Sequence, residues 1–204
     1  MVDFSKIKQY FMDRLDKYGT TPQGLDWNSI ESQHIRYEQL IRVIDEEESF
    51  SILDYGCGFG SLLDFLKPKD YDFTYVGFDI VEEMIEKGKQ LHKEESNCFF
   101  TSNKSELKPA DYVVESGIFN MRQNDRFEDW TDYVVGTLTE MNNLAKKGMA
   151  VNFLTKYSDP GFMRSDLYYA DPCFLFDYCK INFSRNVALL HDYELYDFTI
   201  LVRK

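Results

Sequence analysis

The sequence of 204 residues is poor in features that mark several large classes of protein. Lys and Arg number 23 against 35 Asp and Glu, so the formal net charge is −12. No run of basic residues stands out, which disfavours nucleic acid or an anionic membrane surface as a partner. A secretory signal and an apolar run of about 18 residues are also missing from the sequence. We therefore expect a cytoplasmic protein that acts on a small molecule.

Cysteine and histidine are scarce as well. The cysteines are Cys57, Cys98, Cys173 and Cys179. The histidines are His34, His92 and His191. No two cysteines have C-x-x-C spacing and the histidines lie far apart, so we expect no metal site. The same pattern is typical of reduced thiols.

What the sequence does contain is an alternation of two hydrophobic periods. Apolar residues three and four apart predict a helix over 3–18 and another from Asn28 or Ser29 to about Glu46. Short apolar runs then predict strands over 50–55, 75–78, 98–101, 111–115 and 149–154. Helical patterns between and after them cover 61–66, 82–93, 127–147 and 172–181. This alternation predicts a parallel sheet with right-handed crossovers.

The C-terminal segment departs from the alternation. Two further strands are predicted over 187–190 and 198–202. The seven residues between them are too few for a crossover helix, so we expect an antiparallel hairpin.

The most informative segment is Asp54 to Gly60, which reads D-Y-G-C-G-F-G between a predicted strand and a predicted helix. Glycine permits a sharp turn and close approach of a ligand to the backbone. The exposed N–H groups at the start of the next helix favour a polar or anionic group. Asp79 ends the second strand, where an acid binds ribose hydroxyls in nucleotide-binding α/β folds.

The glycine spacing is G-x-G-x-G, whereas dinucleotide-binding enzymes favour G-x-G-x-x-G. Together with Asp79, the segment resembles motifs I and II of class I S-adenosylmethionine-dependent methyltransferases over roughly residues 50–155. The resemblance implies a Rossmann-like α/β fold: a seven-stranded, mostly parallel sheet with a C-terminal antiparallel hairpin and helices on both faces. It also implies one methyltransferase domain over 1–204. Its parts are a helical lid over 1–48, a cofactor-binding core over 50–155, and a substrate wall with the hairpin over 156–204.

The resemblance also implies a role for each matching position. Asp54 and Gly56 would lie near the methionine part of S-adenosylmethionine, Asp79 would bind its ribose and Ile80 would pack on its adenine. The other expected contacts are Cys57, Gly58, Gly60, Ser102, Asn103, Ser116 and Gly117. Of these, Ser102 and Asn103 occupy the position where the family often has an acid near the adenine amino group.

The N-terminal stretch 21–28 resembles a lid of some small bacterial members of the family. Trp27 belongs to it, and Gln33 and Arg36 follow on one helix face. The Arg36 guanidinium can hold a cofactor carboxylate with two hydrogen bonds. A solvated arginine is the alternative interpretation of this position.

The methyl acceptor is less strongly indicated. Segment 156–173 is rich in tyrosine and charge, which suits a small polar acceptor methylated on oxygen or nitrogen. Tyr157 and His191 are candidate catalytic residues, the latter as a base. Two alternative functions stay open at this point: a catalytically silent module that binds S-adenosylmethionine, and a nicotinamide-dependent oxidoreductase.

Overall fold

The computed structural model describes residues 2–45 and 49–204, and its centre is one seven-stranded sheet. The strands are β1 (Ser49–Tyr55), β2 (Asp72–Phe78), β3 (Cys98–Thr101), β4 (Ala110–Ser116), β5 (Ala145–Leu154), β6 (Asn186–Leu190) and β7 (Asp197–Arg203). Their order across the sheet is β3-β2-β1-β4-β5-β7-β6. The first five strands are parallel, and β7 runs antiparallel to both β5 and β6. The predicted fold class is therefore confirmed, including the C-terminal antiparallel hairpin.

Six α-helices accompany the sheet in the described residues. They are α1 (Phe4–Tyr18), α2 (Ile30–Ile41), α3 (Ser61–Leu66), α4 (Glu82–Leu91), α5 (Phe127–Leu144) and α6 (Pro172–Asn182). Local capping sets several of their ends: the Asp3 carboxylate accepts from the Ser5 N–H before α1, and Ser29 forms a capping box with Ser32 before α2. None of these helices combines the length and apolar character needed to cross a bilayer.

The sheet is covered on both faces by apolar side chains. On one face α5 places Trp130 and Val134 against β4 and β5, and α6 places Leu175 against β6 and β7. On the other face, Leu40 and Leu63 pack from α2 and α3. Both faces of the parallel strands are buried, which explains why these strands are continuous apolar runs in the sequence.

Several element boundaries differ from the sequence prediction, among them the ends of α2 and α5 and the start of β5. The predicted helix over 127–147 ends at Leu144, and β5 begins at Ala145, which lies opposite Ala110 of β4. Pairing with β4 therefore overrides the helical pattern in the last three residues of the predicted helix. Helix α2 ends at Ile41, and its predicted end at Glu46 lies outside the described residues.

The strand order places a topological switch point between β1 and β4. Their crossovers leave in opposite directions, so a crevice opens at the carboxyl ends of the two strands. The glycine loop after β1, Asp79 after β2 and the loop after β4 all meet at this edge.

Candidate functional site

A cavity of about 480 Å³ lies at this edge of the sheet. Its floor is formed by Asp54, Tyr55, Gly56, Cys57, Gly58, Phe78, Asp79, Ile80, Ser116, Gly117, Ile118 and Asn120. Its roof is formed by Phe4, Ile7, Phe11, Leu25, Asp26 and Trp27. The remaining wall comes from Tyr37, Val81, Met84, Lys104, Met121, Tyr133, Gly136, Thr137, Glu140 and Leu167. The volume is in the range of small-molecule sites.

We call the roof, residues 4–27, the lid. Arg14 ties its two parts together, because its guanidinium forms an ion pair with Asp26 at 3.0 Å and donates to the Gln23 carbonyl at 2.8 Å. The Tyr10 hydroxyl also donates to Asp26. The lid predicted over 1–48 also includes α2, which packs against β4, β5 and β7 and contributes Tyr37 to the cavity lining.

The loop after β1 needs glycine at two of the positions that face the cavity. Gly56 and Gly58 have φ values of +91° and +56°, which side chains rarely adopt. A Cβ at Gly56 would lie 2.1 Å from Ile118 Cγ2, and one at Gly58 would lie 2.4 Å from Leu25 Cδ2. The backbone of this loop therefore forms the cavity wall directly. A ligand in the cavity can therefore lie against backbone atoms of this loop.

Asp79 is oriented by the same loop. Its Oδ2 accepts from the Gly58 N–H and its Oδ1 accepts from the Val81 N–H, both at 2.9 Å. Burial raises the pKa of this carboxyl, and the two backbone N–H groups oppose that rise. Each oxygen keeps a further acceptor position, so the carboxylate can receive two hydroxyl groups side by side.

Asp54 lies deeper, with only 5% of its surface exposed. Its Oδ2 accepts from the Tyr75 hydroxyl at 2.7 Å. Burial raises the pKa of Asp54 to about 7, and the charge of Asp79 contributes in the same direction. A cation bound beside these carboxylates would favour their charged forms. Among the lining residues, acids outnumber bases: Asp26, Asp54, Asp79 and Glu140 against Lys104.

The loop after β4 contributes polar atoms without partners. Ser116 Oγ and Asn120 Oδ1 are buried, and neither has a hydrogen-bond partner within the described residues. Both residues line the cavity. The ring of Trp27 lies against Gly117 on the same side, at 3.0 Å from the position of an added Cβ. Buried polar atoms normally find partners, so these two are available to a ligand.

The other predicted contacts take different places. Cys57 and Ile80 line the cavity, whereas Gly60 precedes α3 and lies beneath His92 and Phe100. Ser102 and Asn103 are not among the lining residues. The Asn103 side chain accepts from the Ser105 N–H and caps the following 3-10 turn.

Gln33 and Arg36 stand behind the cavity wall. Gln33 donates to the Tyr37 hydroxyl at 3.0 Å, and Tyr37 itself lines the cavity. The Arg36 guanidinium donates two hydrogen bonds to the Asp197 carboxylate, and its carbon lies 4.6 Å from the centre of the Trp27 ring. Direct binding of the cofactor carboxylate by Arg36 stays a prediction.

The two candidate catalytic residues lie outside the cavity lining. The ring of Tyr157 lies 6.0 Å from that of His191, and 61% of the Tyr157 surface is exposed. Segment 156–173 reaches the cavity through Leu167, which bridges to Met121. A catalytic role for either residue stays a prediction.

Several lining residues carried no recognisable signal in the sequence. Tyr37 and Glu140 are polar residues inside amphipathic helices. Glu140 accepts from the Tyr55 hydroxyl at 3.3 Å and pairs with Lys104 at 2.5 Å. Only the packing of α5 against the sheet brings these groups together. The described residues contain no group of three or more His, Cys, Asp or Glu arranged to hold a metal.

Strand order and site together define the class of this protein. The classic nicotinamide-binding sheet has the order 3-2-1-4-5-6, whereas here β7 is inserted antiparallel between β5 and β6. With the G-x-G-x-G loop and Asp79, this is the architecture of a class I S-adenosylmethionine-dependent methyltransferase.

Comparison with known proteins identifies the family. A family model described as "Methyltransferase domain" matches residues 22–201, so the chain belongs to the methyltransferase domain family and is a methyltransferase. The Mycobacterium tuberculosis protein "Putative methyltransferase Rv1506c" is 44% identical over 164 residues, which cover 80% of this chain and 99% of that protein.

Solved structures show the same fold. Magnesium protoporphyrin IX methyltransferase from Synechocystis PCC 6803, crystallised with S-adenosylhomocysteine, has a TM-score of 0.67 at 17% identity over 99% of this chain and 100% of its own. Human N-acetylserotonin methyltransferase, in complex with S-adenosylmethionine, has a TM-score of 0.68 at 16% identity. That match covers 98% of this chain and 58% of the human chain.

Proposed function

We propose that this methyltransferase holds S-adenosylmethionine in the cavity beneath the lid and methylates an oxygen or nitrogen atom of a small polar metabolite. The observation that carries this proposal is the acid-rich cavity over the glycine loop, because S-adenosylmethionine bears a sulfonium and an ammonium group. When bound, this cofactor supplies an electrophilic methyl group.

The floor of the cavity offers a contact for most parts of the cofactor. The free acceptor positions of Asp79 suit the paired ribose hydroxyls. Gly56 and Gly58 line the cavity without side chains, so the chain that joins ribose and methionine can approach their backbone between Ile118 and Leu25. Asp54 supplies a carboxylate for the ammonium group, and Ile80 supplies an apolar surface for the base. Cys57, Ser116, Gly117 and Trp27 complete the wall at the methionine end.

The roof argues for a small acceptor. The cavity has a volume of about 480 Å³, in the range of sites for small molecules, and this favours a small acceptor beside the cofactor. Ser116 Oγ and Asn120 Oδ1 offer a donor and an acceptor to a polar group beside the methyl position. Orientation of the acceptor against the methyl group is then the main contribution of the protein, worth roughly 7–11 kcal/mol in favourable cases.

Two measurements test this function. Calorimetry with S-adenosylhomocysteine should show binding in the micromolar range, and NAD at the same concentrations should give no heat. Incubation with S-adenosylmethionine carrying a labelled methyl group and a metabolite mixture should then transfer label to an acceptor. Absence of S-adenosylhomocysteine binding at millimolar concentration would overturn the proposal. Binding without transfer to any acceptor would favour a silent cofactor-binding module.

A further inference from the structure

Three polar side chains from different elements meet on the wall of the cavity. Tyr55 ends β1, Lys104 follows β3, and Glu140 lies on α5. Glu140 Oε1 accepts from the Tyr55 hydroxyl at 3.3 Å, and Oε2 lies 2.5 Å from Lys104 Nζ. All three residues line the cavity. We call them the Tyr55–Lys104–Glu140 cluster.

The cluster occupies the part of the wall that the sequence motifs leave unassigned. An acid directly after β3 is absent, and the Asn103 side chain caps its own 3-10 turn and donates to Glu106. The segment from β3 to β4 contains only this short turn, so no α-helix separates Lys104 from α5. The Glu140 side chain on α5 can therefore contact Lys104 directly and line the cavity.

The cluster presents one strong acceptor beside one donor. The Glu140 carboxylate has lone pairs beyond the two already used, since each oxygen can accept more than one hydrogen bond. The Lys104 ammonium has N–H groups beyond the one directed at Glu140. The Tyr55 hydroxyl already donates to Glu140, and burial together with Glu140 raises the pKa of Tyr55 and keeps that hydrogen in place. An acceptor next to a donor complements a flat ring that has an amino group next to an unprotonated ring nitrogen. Adenine has this pattern at its amino group and N1.

We propose that Glu140 is the residue that selects adenine, with its carboxylate accepting from the exocyclic amino group while Lys104 donates to N1. The inference rests on the proposed function, because the base belongs to the cofactor held by Asp79. Ile80, the residue directly after Asp79, lines the same cavity and offers an apolar surface for one ring face. The side chain that reads the base is thus on α5, and not in the loop after β3.

A comparison of two ligands tests this assignment. S-adenosylhomocysteine and S-inosylhomocysteine differ in that inosine has a carbonyl oxygen in place of the amino group and a protonated N1. Both changes oppose the cluster, so wild-type protein should bind the adenine compound at least about tenfold more tightly in calorimetry. Glu140→Gln should reduce this preference to about threefold or less, because its amide can donate to the inosine carbonyl.

Two further variants complete the experiment. Lys104→Met should also reduce the preference. It removes the donor to N1 of adenine, and it removes the ammonium group that opposes the N1–H of the inosine compound. Glu128→Gln changes an exposed acid at the other end of α5 and should leave the preference unchanged. Melting curves of each variant check that the fold is retained.

The outcomes separate this inference from the proposed function. Wild-type and Glu140→Gln proteins that both bind S-adenosylhomocysteine with the same preference over the inosine compound would overturn the role of Glu140 and leave the proposed function standing. Wild-type protein that binds neither compound would overturn both.

Discussion

The guanidinium of Arg36 and the carboxylate of Asp197 form a two-point ion pair inside the protein, with Nε–Oδ1 and Nη2–Oδ2 distances of 3.0 and 2.6 Å. The two side chains are 9% and 1% exposed. On its other side, Arg36 lies against the ring of Trp27, which forms part of the lid. The pair therefore connects the start of β7 to the roof of the cavity.

Replacement of one partner should be costly. Arg36→Met leaves the Asp197 carboxylate buried without its cation, and loss of one partner of a buried pair typically costs about 3–5 kcal/mol. We expect a loss of this size in the free energy of unfolding measured with urea. The double variant Arg36→Met/Asp197→Leu should recover most of it, because no unpaired charge remains. Equal stability of wild-type protein and Arg36→Met would show that the pair adds no stability.

The pH dependence of ligand binding should report on Asp54. Burial raises the pKa of Asp54 to about 7 from an ordinary value of 3.8, so the folded protein binds more protons than the unfolded chain between these values. The stability of the ligand-free protein should therefore fall as pH rises through about 7. The ammonium group of S-adenosylhomocysteine favours the carboxylate, so affinity should rise over the same range.

Thermal-shift measurements between pH 6 and 8 can check this linkage. The stabilisation by S-adenosylhomocysteine should grow with pH in wild-type protein and should become nearly flat in Asp54→Asn. A ligand-induced shift that falls with pH would contradict the assignment of Asp54 to the ammonium group. Because burial also raises the pKa of Asp79, the variant is needed to separate the two carboxyls.

Asp79→Asn should weaken cofactor binding without unfolding the protein. The substitution removes charge-assisted hydrogen bonds to ribose, each worth about 1.5–3 kcal/mol, so we expect at least a tenfold rise in Kd for S-adenosylhomocysteine. The melting temperature should fall without loss of the fold, because Asn keeps only one acceptor oxygen for the Gly58 and Val81 N–H groups, and an unpaired buried donor costs about 1–3 kcal/mol. Unchanged affinity in calorimetry would remove Asp79 from the site.

Gly58→Val should lower the stability of the protein and abolish binding of S-adenosylhomocysteine, each for a different reason. The residue has φ +56°, so a side chain adds strain of about 1–3 kcal/mol, which a circular-dichroism melt would report. The new Cβ would also lie 2.4 Å from Leu25 Cδ2 and would push the lid outwards. Gly161→Val is the matched control, because no described heavy atom outside its chain neighbours lies within 4 Å of its added Cβ. A folded Gly58→Val variant with normal affinity would show that the loop does not cradle the ligand.

The sheet and its glycine loop could be predicted because local pattern determines them. The parallel strands are buried on both faces, so each is a short apolar run, and Gly56 and Gly58 occupy positions that other residues adopt only with strain. The antiparallel hairpin followed from the short connection between its strands. The end of α5 could not be predicted, because the pairing of Ala145 with β4 decides it.

The wall of the site was less predictable, since tertiary contacts determine it. Arg36 is on the expected helix, but its partner Asp197 is 161 residues away. Glu140 reaches the cavity only because α5 packs beside the loop after β3, and nothing in its neighbouring sequence indicates this. The role of a single residue on a helix depends on what the helix packs against and cannot be predicted from its neighbours in the sequence. The role of glycines in a tight turn can be predicted, because their spacing indicates it.

The lid has a consequence for the timing of the catalytic cycle. Helix α1 and the turn up to Trp27 cover the space proposed for both ligands, so spent cofactor and methylated product must leave past the same element. We expect both to be released in the same opening of the lid, so the rate of lid opening would limit turnover. Helix α1 precedes residue 22, where the match to the family begins, whereas the turn from 22 to Trp27 lies inside the match. The element that limits turnover would then be built from one part outside the matched domain and one part inside it.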